Sequence, residues 1–204
     1  MVKAIDRLGN KSTIAASASL TVSSPAAVSV TGVLSGKDYM LSWSEPAADY
    51  SIDRYEIRQG DSWSEGAFVT SVSALSLKAA VTWSGDRTFW VAAIDLAGNV
   101  GTPASASISA APPVAPTISS AFSGAQVVLS WDEPAASLPI AEYEVRQGPD
   151  WEGGAYITRL TARSLALTVN WGGARTFWIA AVDINGTVGA AGSCAVSISA
   201  PSQP

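Results

Sequence analysis

The sequence predicts an all-β protein built as tandem β-sandwiches, and three observations point there. The phrase RTFWVAAIDLAGNVG at 87–101 returns as RTFWIAAVDINGTVG at 175–189, 88 positions later. Between the repeats, short runs of alternating apolar and polar residues are divided by glycine-containing turns, which is the pattern of strands rather than helices. The composition is rich in Ser, Thr and Val, with 14% charged and 48% apolar residues. That balance favours strands and supplies a packed core.

The repeat sets the organisation. Leu41-Ser42-Trp43 matches Leu129-Ser130-Trp131, Tyr55 matches Tyr143, and Arg58-Gln59-Gly60 matches Arg146-Gln147-Gly148. Trp63, Trp83 and Trp90 match Trp151, Trp171 and Trp178, all at the same spacing. VKAID at 2–6 corresponds to VAAID at 91–95, and SASL at 17–20 to SASI at 105–108. The expected units are therefore residues 1–24, the last two strands of an incomplete sandwich, then 25–112 and 113–204 as complete ones. SSPAA and AAPPVAP are the joints, where proline stops strands and stiffens a short link. Two strands lacking their sheet would leave backbone edges unpaired. The sequence is accordingly expected to be a piece of a longer chain, or to receive the missing strands from a neighbour.

Within the first full unit, YMLSW puts Tyr39, Leu41 and Trp43 on one face. RYEIRQG puts Tyr55 and Ile57 on one face and Glu56 and Arg58 on the other. AFVTSV and SLKAAVTW are the next two strands, RTFWVAAID is a long one, and ASASISA closes the unit. LSGK, QGDS, WSGD and LAGN are the turns, and EPAADY bends between strands.

Several chemistries are excluded or disfavoured by composition. No histidine is present, which removes Ser-His and Cys-His nucleophile pairs and the commonest metal ligand. A single cysteine, Cys194, forms no internal disulfide. The net charge of −5, without a Lys/Arg cluster, argues against a nucleic-acid partner. No apolar run is long enough to cross a bilayer as a helix, and the first residues carry no secretory signal pattern.

The residues LSW-x-EP, then Y-x-I/V-RQG, then TFW-x-AA-x-D together resemble the fibronectin type III module, an immunoglobulin-like sandwich. The resemblance implies that Trp43 and Trp131 lie in the cores, with Tyr55 and Tyr143 beside them. It implies a late strand and turn at Asp95 with Gly98, and at Asp183 with Gly186. YEIRQGDSW followed by TFWVAAIDLAGN resembles, more narrowly, the fibronectin repeats of tail-tip and tail-fibre proteins of tailed bacteriophages, of the host-specificity protein J type. One position departs from the family. Arg87 and Arg175 stand where many modules carry a corner tyrosine. A guanidinium is not buried unpaired, so each arginine must face solvent or meet a carboxylate or carbonyl.

Eight tryptophans raise the question of an aromatic binding platform. Trp43 and Trp131 have the parity of core residues. Trp63, Trp83, Trp151 and Trp171 flank glycine-rich turns and are expected to cap the sandwich edges. Trp90 and Trp178 are expected to face outward beside Ala92, with Arg58 lying over Trp90. Together they would form a partly apolar patch for packing against other virion chains. Asp95-x-x-Gly98-Asn99 resembles half of a calcium loop, but without alternating carboxylates it is expected to stabilise a turn. Glu142 and Glu144 are expected on a solvated strand face. Cys194 is expected to be a small buried residue in a last strand carrying a short insertion.

No catalytic, cofactor-binding or metal-ligating residue is assigned. The expected role is that of a non-enzymatic segment of a phage tail fibre or tail tip, located in the virion. Its expected partners are other tail proteins, two further copies in a homotrimer, and a host surface receptor, with no nucleic acid and no membrane insertion. The alternative is a spacer pair in a secreted bacterial carbohydrate-active enzyme, or an adhesion repeat at the bacterial cell surface.

Overall fold

A computed structural model describes residues 2–14 and 21–198. It is all-β, with no helix among the described residues. The first seven strands are β1 (Val30–Ser35), β2 (Asp38–Trp43), β3 (Ile52–Gln59), β4 (Ala67–Val72), β5 (Ser76–Ala80), β6 (Gly85–Asp95) and β7 (Ala104–Ala110). The next seven are β8 (Ile118–Ser123), β9 (Gln126–Trp131), β10 (Ile140–Gln147), β11 (Ala155–Leu160), β12 (Ser164–Thr168), β13 (Gly173–Asp183) and β14 (Val188–Ile198). Each set makes a three-stranded sheet, β1-β2-β5 or β8-β9-β12, and a four-stranded sheet, β4-β3-β6-β7 or β11-β10-β13-β14. All named pairings are antiparallel. This is the arrangement of tandem immunoglobulin-like sandwiches of the fibronectin type III kind.

Local sequence explains the elements. Tyr39, Leu41 and Trp43 alternate into the core of the first sandwich, as Val127, Leu129 and Trp131 do in the second. Trp43 meets Tyr55 at 5.5 Å between ring centroids, and Trp131 meets Tyr143 at 5.5 Å. The β1–β2 hairpin closes over two residues, with Ser35 paired to Asp38. Gly36 holds the φ of 60° that the first position of such a tight turn demands.

Two strand expectations change. β1 was not among the expected strands. Gly32 breaks its apolar alternation, and a Cβ there would lie 2.8 Å from Ile108 Cγ1, so close packing of the two sheets selects glycine. The SLKAAVTW strand ends at Ala80. Val81–Trp83 leave the ladder, and Trp83 turns inward against Tyr39 and Phe89.

Residues 2–14 repeat the late turn of the full sandwiches. Ile5 bridges Lys11 as Ile94 bridges Val100. Ser12 N donates to Ala4 O as Gly101 N donates to Ala93 O. The expected strand at 17–20 lies outside the described residues.

Candidate functional site

The outer face of each four-stranded sheet carries the most chemistry. In the first sandwich, Arg58 projects outward from β3. Its Nε donates to Glu56 Oε1 at 2.7 Å and its Nη1 to the Trp63 carbonyl at 3.3 Å, while its guanidinium lies 4.7 Å from the Trp63 ring centre. Arg146 repeats this with Glu144 at 2.6 Å, the Trp151 carbonyl at 3.1 Å and the Trp151 ring at 4.5 Å. The loop between Gly60 and Gly66 folds tightly to allow it, since a Cβ on Gly60 would stand 2.9 Å from Gly66 Cα.

Trp90 completes the cap. Its indole Nε1 donates to Gly60 O at 2.9 Å, and Trp178 donates to Gly148 O at 3.1 Å. This corrects the expected contact, because Arg58 covers Trp63 and not Trp90. The outward patch is corrected with it. Trp90 and Trp178 are half-buried and tied to their own sandwiches, and Ala92 is fully buried although the pleat turns it outward. A methyl on a central strand, opposite Glu56 in register, is overtopped by longer neighbours. The face Trp63 or Trp151 would offer a sugar or base is taken by an arginine of the same chain.

Charge is more deeply set in the second sandwich. Glu144 is 3% exposed. It accepts from Arg146 through Oε1, and from Arg159 Nε at 2.9 Å and Nη2 at 2.7 Å through Oε2. Arg159 Nη1 also reaches Glu142 at 3.0 Å. Burial pushes the Glu144 carboxyl up, but the hydrogen bonds and charges of Arg159 and Arg146 outweigh it and leave it below the usual range. The expected solvated pair is therefore corrected at Glu144. Glu142 is partly exposed, but Glu144 is a buried charge with two partners.

The arginines at the corner positions take one route each. Arg87 is exposed. Arg175 donates to Gln147 Oε1 at 2.9 Å and lies 4.8 Å from the Trp171 ring.

Asp95 is 1% exposed and ringed by N–H donors. Oδ1 accepts from the backbone of Ala97 and Asn99, each at 2.9 Å, and Oδ2 from Asn99 Nδ2 at 2.8 Å. Burial raises its pKa, yet these bonds, with that from Gly98, bring it below the ordinary value. Three N–H donors from the turn hold the carboxylate, so Asp95 braces the turn. Asp183 repeats the backbone bonds to Asn185 and Thr187. Asp6 repeats the full set with Leu8 and Asn10, and the Asn10 side chain lowers its pKa first of all. No cluster of three or more His, Cys, Asp or Glu able to hold a metal occurs among the described residues.

Cys194 pairs in register with Phe177 as Ala106 pairs with Phe89. The spacing is the same 88 positions, so the final strand carries no insertion, and the thiol is partly rather than fully buried.

The contact that sequence reasoning missed lies between the sandwiches. Leu138, in the β9–β10 loop, is 2% exposed and packs into the core cluster of the first sandwich. Asn185 Nδ2 donates to Val81 O at 3.0 Å, and Ala111 N to Ser137 Oγ at 3.0 Å. Gly36 faces Pro134, Ser137, Leu138 and Pro139 across a shallow groove. The available signal was a leucine in a polar loop, SLPI, where the first unit has DYSI.

No protein-family model matches the chain, and no curated protein does. Solved structures of similar architecture are found. A two-domain fibronectin type III segment of chicken tenascin is 18% identical, with a TM-score of 0.43, covering 86% of this chain and all (100%) of that one. Chicken CNTN1 domains FN1–FN3 are 14% identical, with a TM-score of 0.36, covering 95% of this chain and 73% of that one. The Clostridium perfringens spore cortex lytic enzyme SleM is 18% identical, with a TM-score of 0.39, covering 49% of this chain and 35% of that one.

Proposed function

We propose that the chain is a non-enzymatic spacer, a segment of a bacteriophage tail-fibre or tail-tip protein that positions host-receptor-binding parts. The observation that carries the spacer role is the built joint, with Leu138 seated in the neighbouring sandwich and Asn185 bonded to Val81 O. A side chain buried across a joint restrains bending between two units, which is what a positioning element requires. The arginine–tryptophan caps use their polar groups internally, and this supports a structural role for them over ligand capture.

The phage assignment rests on the motifs YEIRQGDSW and TFWVAAIDLAGN. It implies a virion location, contacts with other tail proteins, a homotrimer along the fibre, and contact with a host receptor. It implies no nucleic-acid partner and no membrane insertion. Antibodies raised against this chain and imaged by electron microscopy on phage particles should mark the tail tip or fibre. Label found instead on secreted enzyme or on the bacterial surface would overturn the phage assignment and leave the spacer role standing.

A further inference from the structure

Among the described residues, the links by which the chain enters the second sandwich recur at the first, but the side chains over them differ in cover. Four links carry the chain into the second sandwich or brace its entry, and three of them have counterparts 88 positions earlier. Ala111 N donates to Ser137 Oγ, and Ser23 N donates to Asp49 Oδ2 at 2.7 Å. Val114 N bonds Ala135 O at 3.0 Å, and Ala26 N bonds Ala47 O at 2.8 Å. Ala190 N bonds Pro113 O at 3.0 Å, and Thr102 N bonds Pro25 O at 3.2 Å. The fourth, from Asn185 to Val81, has no counterpart because Ala97 stands at the matching position. The chain thus enters the first sandwich along the path by which it enters the second.

What differs is the cover. Tyr50 holds the position of Leu138, and it is 45% exposed where Leu138 is 2% exposed. Leu96 holds the position of Ile184 and is more exposed, at 70% against 41%.

We infer that the head of the first sandwich, Tyr50 with Leu96, is a docking surface for the base of another β-sandwich of this same kind. That base meets it as the first sandwich meets Leu138. The inference rests on the spacer reading and deepens it, since it makes the joint a rule of the array. The occupant follows from continuity. The same link and the same loop position already seat one sandwich base within the chain, and a base of this class offers the β1–β2 hairpin glycine and an apolar residue such as Val81. The second sandwich presents such a base, with Gly124 at the hairpin and Val169 only partly buried where Val81 is covered.

The test extends the chain with its own second sandwich. Residues 113–198, all seven strands, are copied ahead of Ser23 in place of residues 1–22. Hydroxyl-radical oxidation read by mass spectrometry then compares Tyr50 with buried Tyr55 and exposed Tyr156. Docking lowers Tyr50 oxidation to the level of Tyr55 and raises the unfolding midpoint of the sandwich that carries Tyr50. Tyr50→Asp removes that rise and leaves the midpoint of the unextended chain unchanged. If the added sandwich unfolds cooperatively while Tyr50 stays as reactive as Tyr156, the inference is overturned. The spacer reading would survive that outcome, because it rests on the Leu138 joint between the two sandwiches, which Leu138→Ala tests separately.

Discussion

The two sandwiches share a core plan and differ in what they place around it. Phe89 is stacked on Tyr39 at 4.9 Å and lies 5.7 Å from Trp83. Phe177 has Trp171 at 6.1 Å, but Val127 stands where Tyr39 would be. On the outer face the contrast reverses. Glu144 is gripped by two arginines, whereas Glu56 has Arg58 alone, because Ser71 occupies the place of Arg159. The difference teaches that inward positions stay apolar even where their shape changes, as from Tyr39 to Val127. Outward positions are free to change in pairs, so that a carboxylate sinks deeper only where a second cation comes with it.

The sharpest way to break the comparison is at the shared core. Phe89→Ala and Phe177→Ala should each destabilise their own sandwich by about 3–5 kcal/mol, from lost burial and an unfilled cavity. The first should fall at the upper end, because two ring contacts go rather than one. Denaturant unfolding followed by tryptophan fluorescence checks this. Equal losses would mean that the aromatic cluster adds nothing beyond area.

Next comes the joint. Leu138→Ala should cost about 2 kcal/mol, the low end for a buried leucine, since a joint closes more easily than a core. The loss should appear in the unfolding of both sandwiches, because the side chain belongs to one and is buried in the other. Tyr50→Ala, at the matching but exposed position, should change stability by less than about 0.5 kcal/mol. If Leu138→Ala moved only one transition, the sandwiches would be energetically independent.

Smaller still is the outer charge network. Arg159→Ala leaves Glu144 buried with Arg146 alone and should cost about 1–2 kcal/mol, discounted because the arginine is itself partly exposed. Ser71→Ala should have almost no effect. The folded-state pKa of Glu144 lies below its unfolded value, so its stabilisation is full above about pH 4.3 and is lost as pH falls through the folded value. Arg159→Ala should therefore flatten the acid limb of unfolding for the second sandwich and leave that of the first unchanged.

These contrasts also show what the sequence made legible. Alternation exposed Tyr39, Leu41, Trp43, Tyr55 and Ile57 as core, because a strand with one buried face has period two. The fixed spacing gave the unit plan. The carboxylate of the Asp95 turn was legible because its donors are local. Arg58 on Trp63, Glu144 beneath Arg159 and Leu138 in a neighbouring core were not legible. Each depends on a loop path or a cross-strand partner that alternation does not encode. Trp90 was misplaced for the same reason. Its parity is outward, but the Gly60 loop folds back to accept its N–H. β1 stayed hidden because glycine at position 32 serves contact between sheets and not the strand pattern.

The gentlest contrast lies in the late turn. Asn99 donates through its side chain to Asp95, while Thr187 offers Asp183 only its backbone N–H. Asn99→Thr gives the first turn the residue of the second. It removes the leading hydrogen bond that holds the Asp95 carboxyl low, so the folded-state titration should move up toward the ordinary value near 3.9. A carboxyl lowered on folding stabilises above its unfolded pKa, and that contribution is lost as pH falls through the folded one. The variant should therefore narrow the gap and shrink the acid-dependent part of the stability of the first sandwich. Carbon-detected NMR titration of the Asp95 side chain measures the shift directly. A midpoint that does not move in Asn99→Thr would mean that the backbone donors of Ala97, Gly98 and Asn99 hold the carboxylate without help, and that the asparagine serves the turn by shape alone.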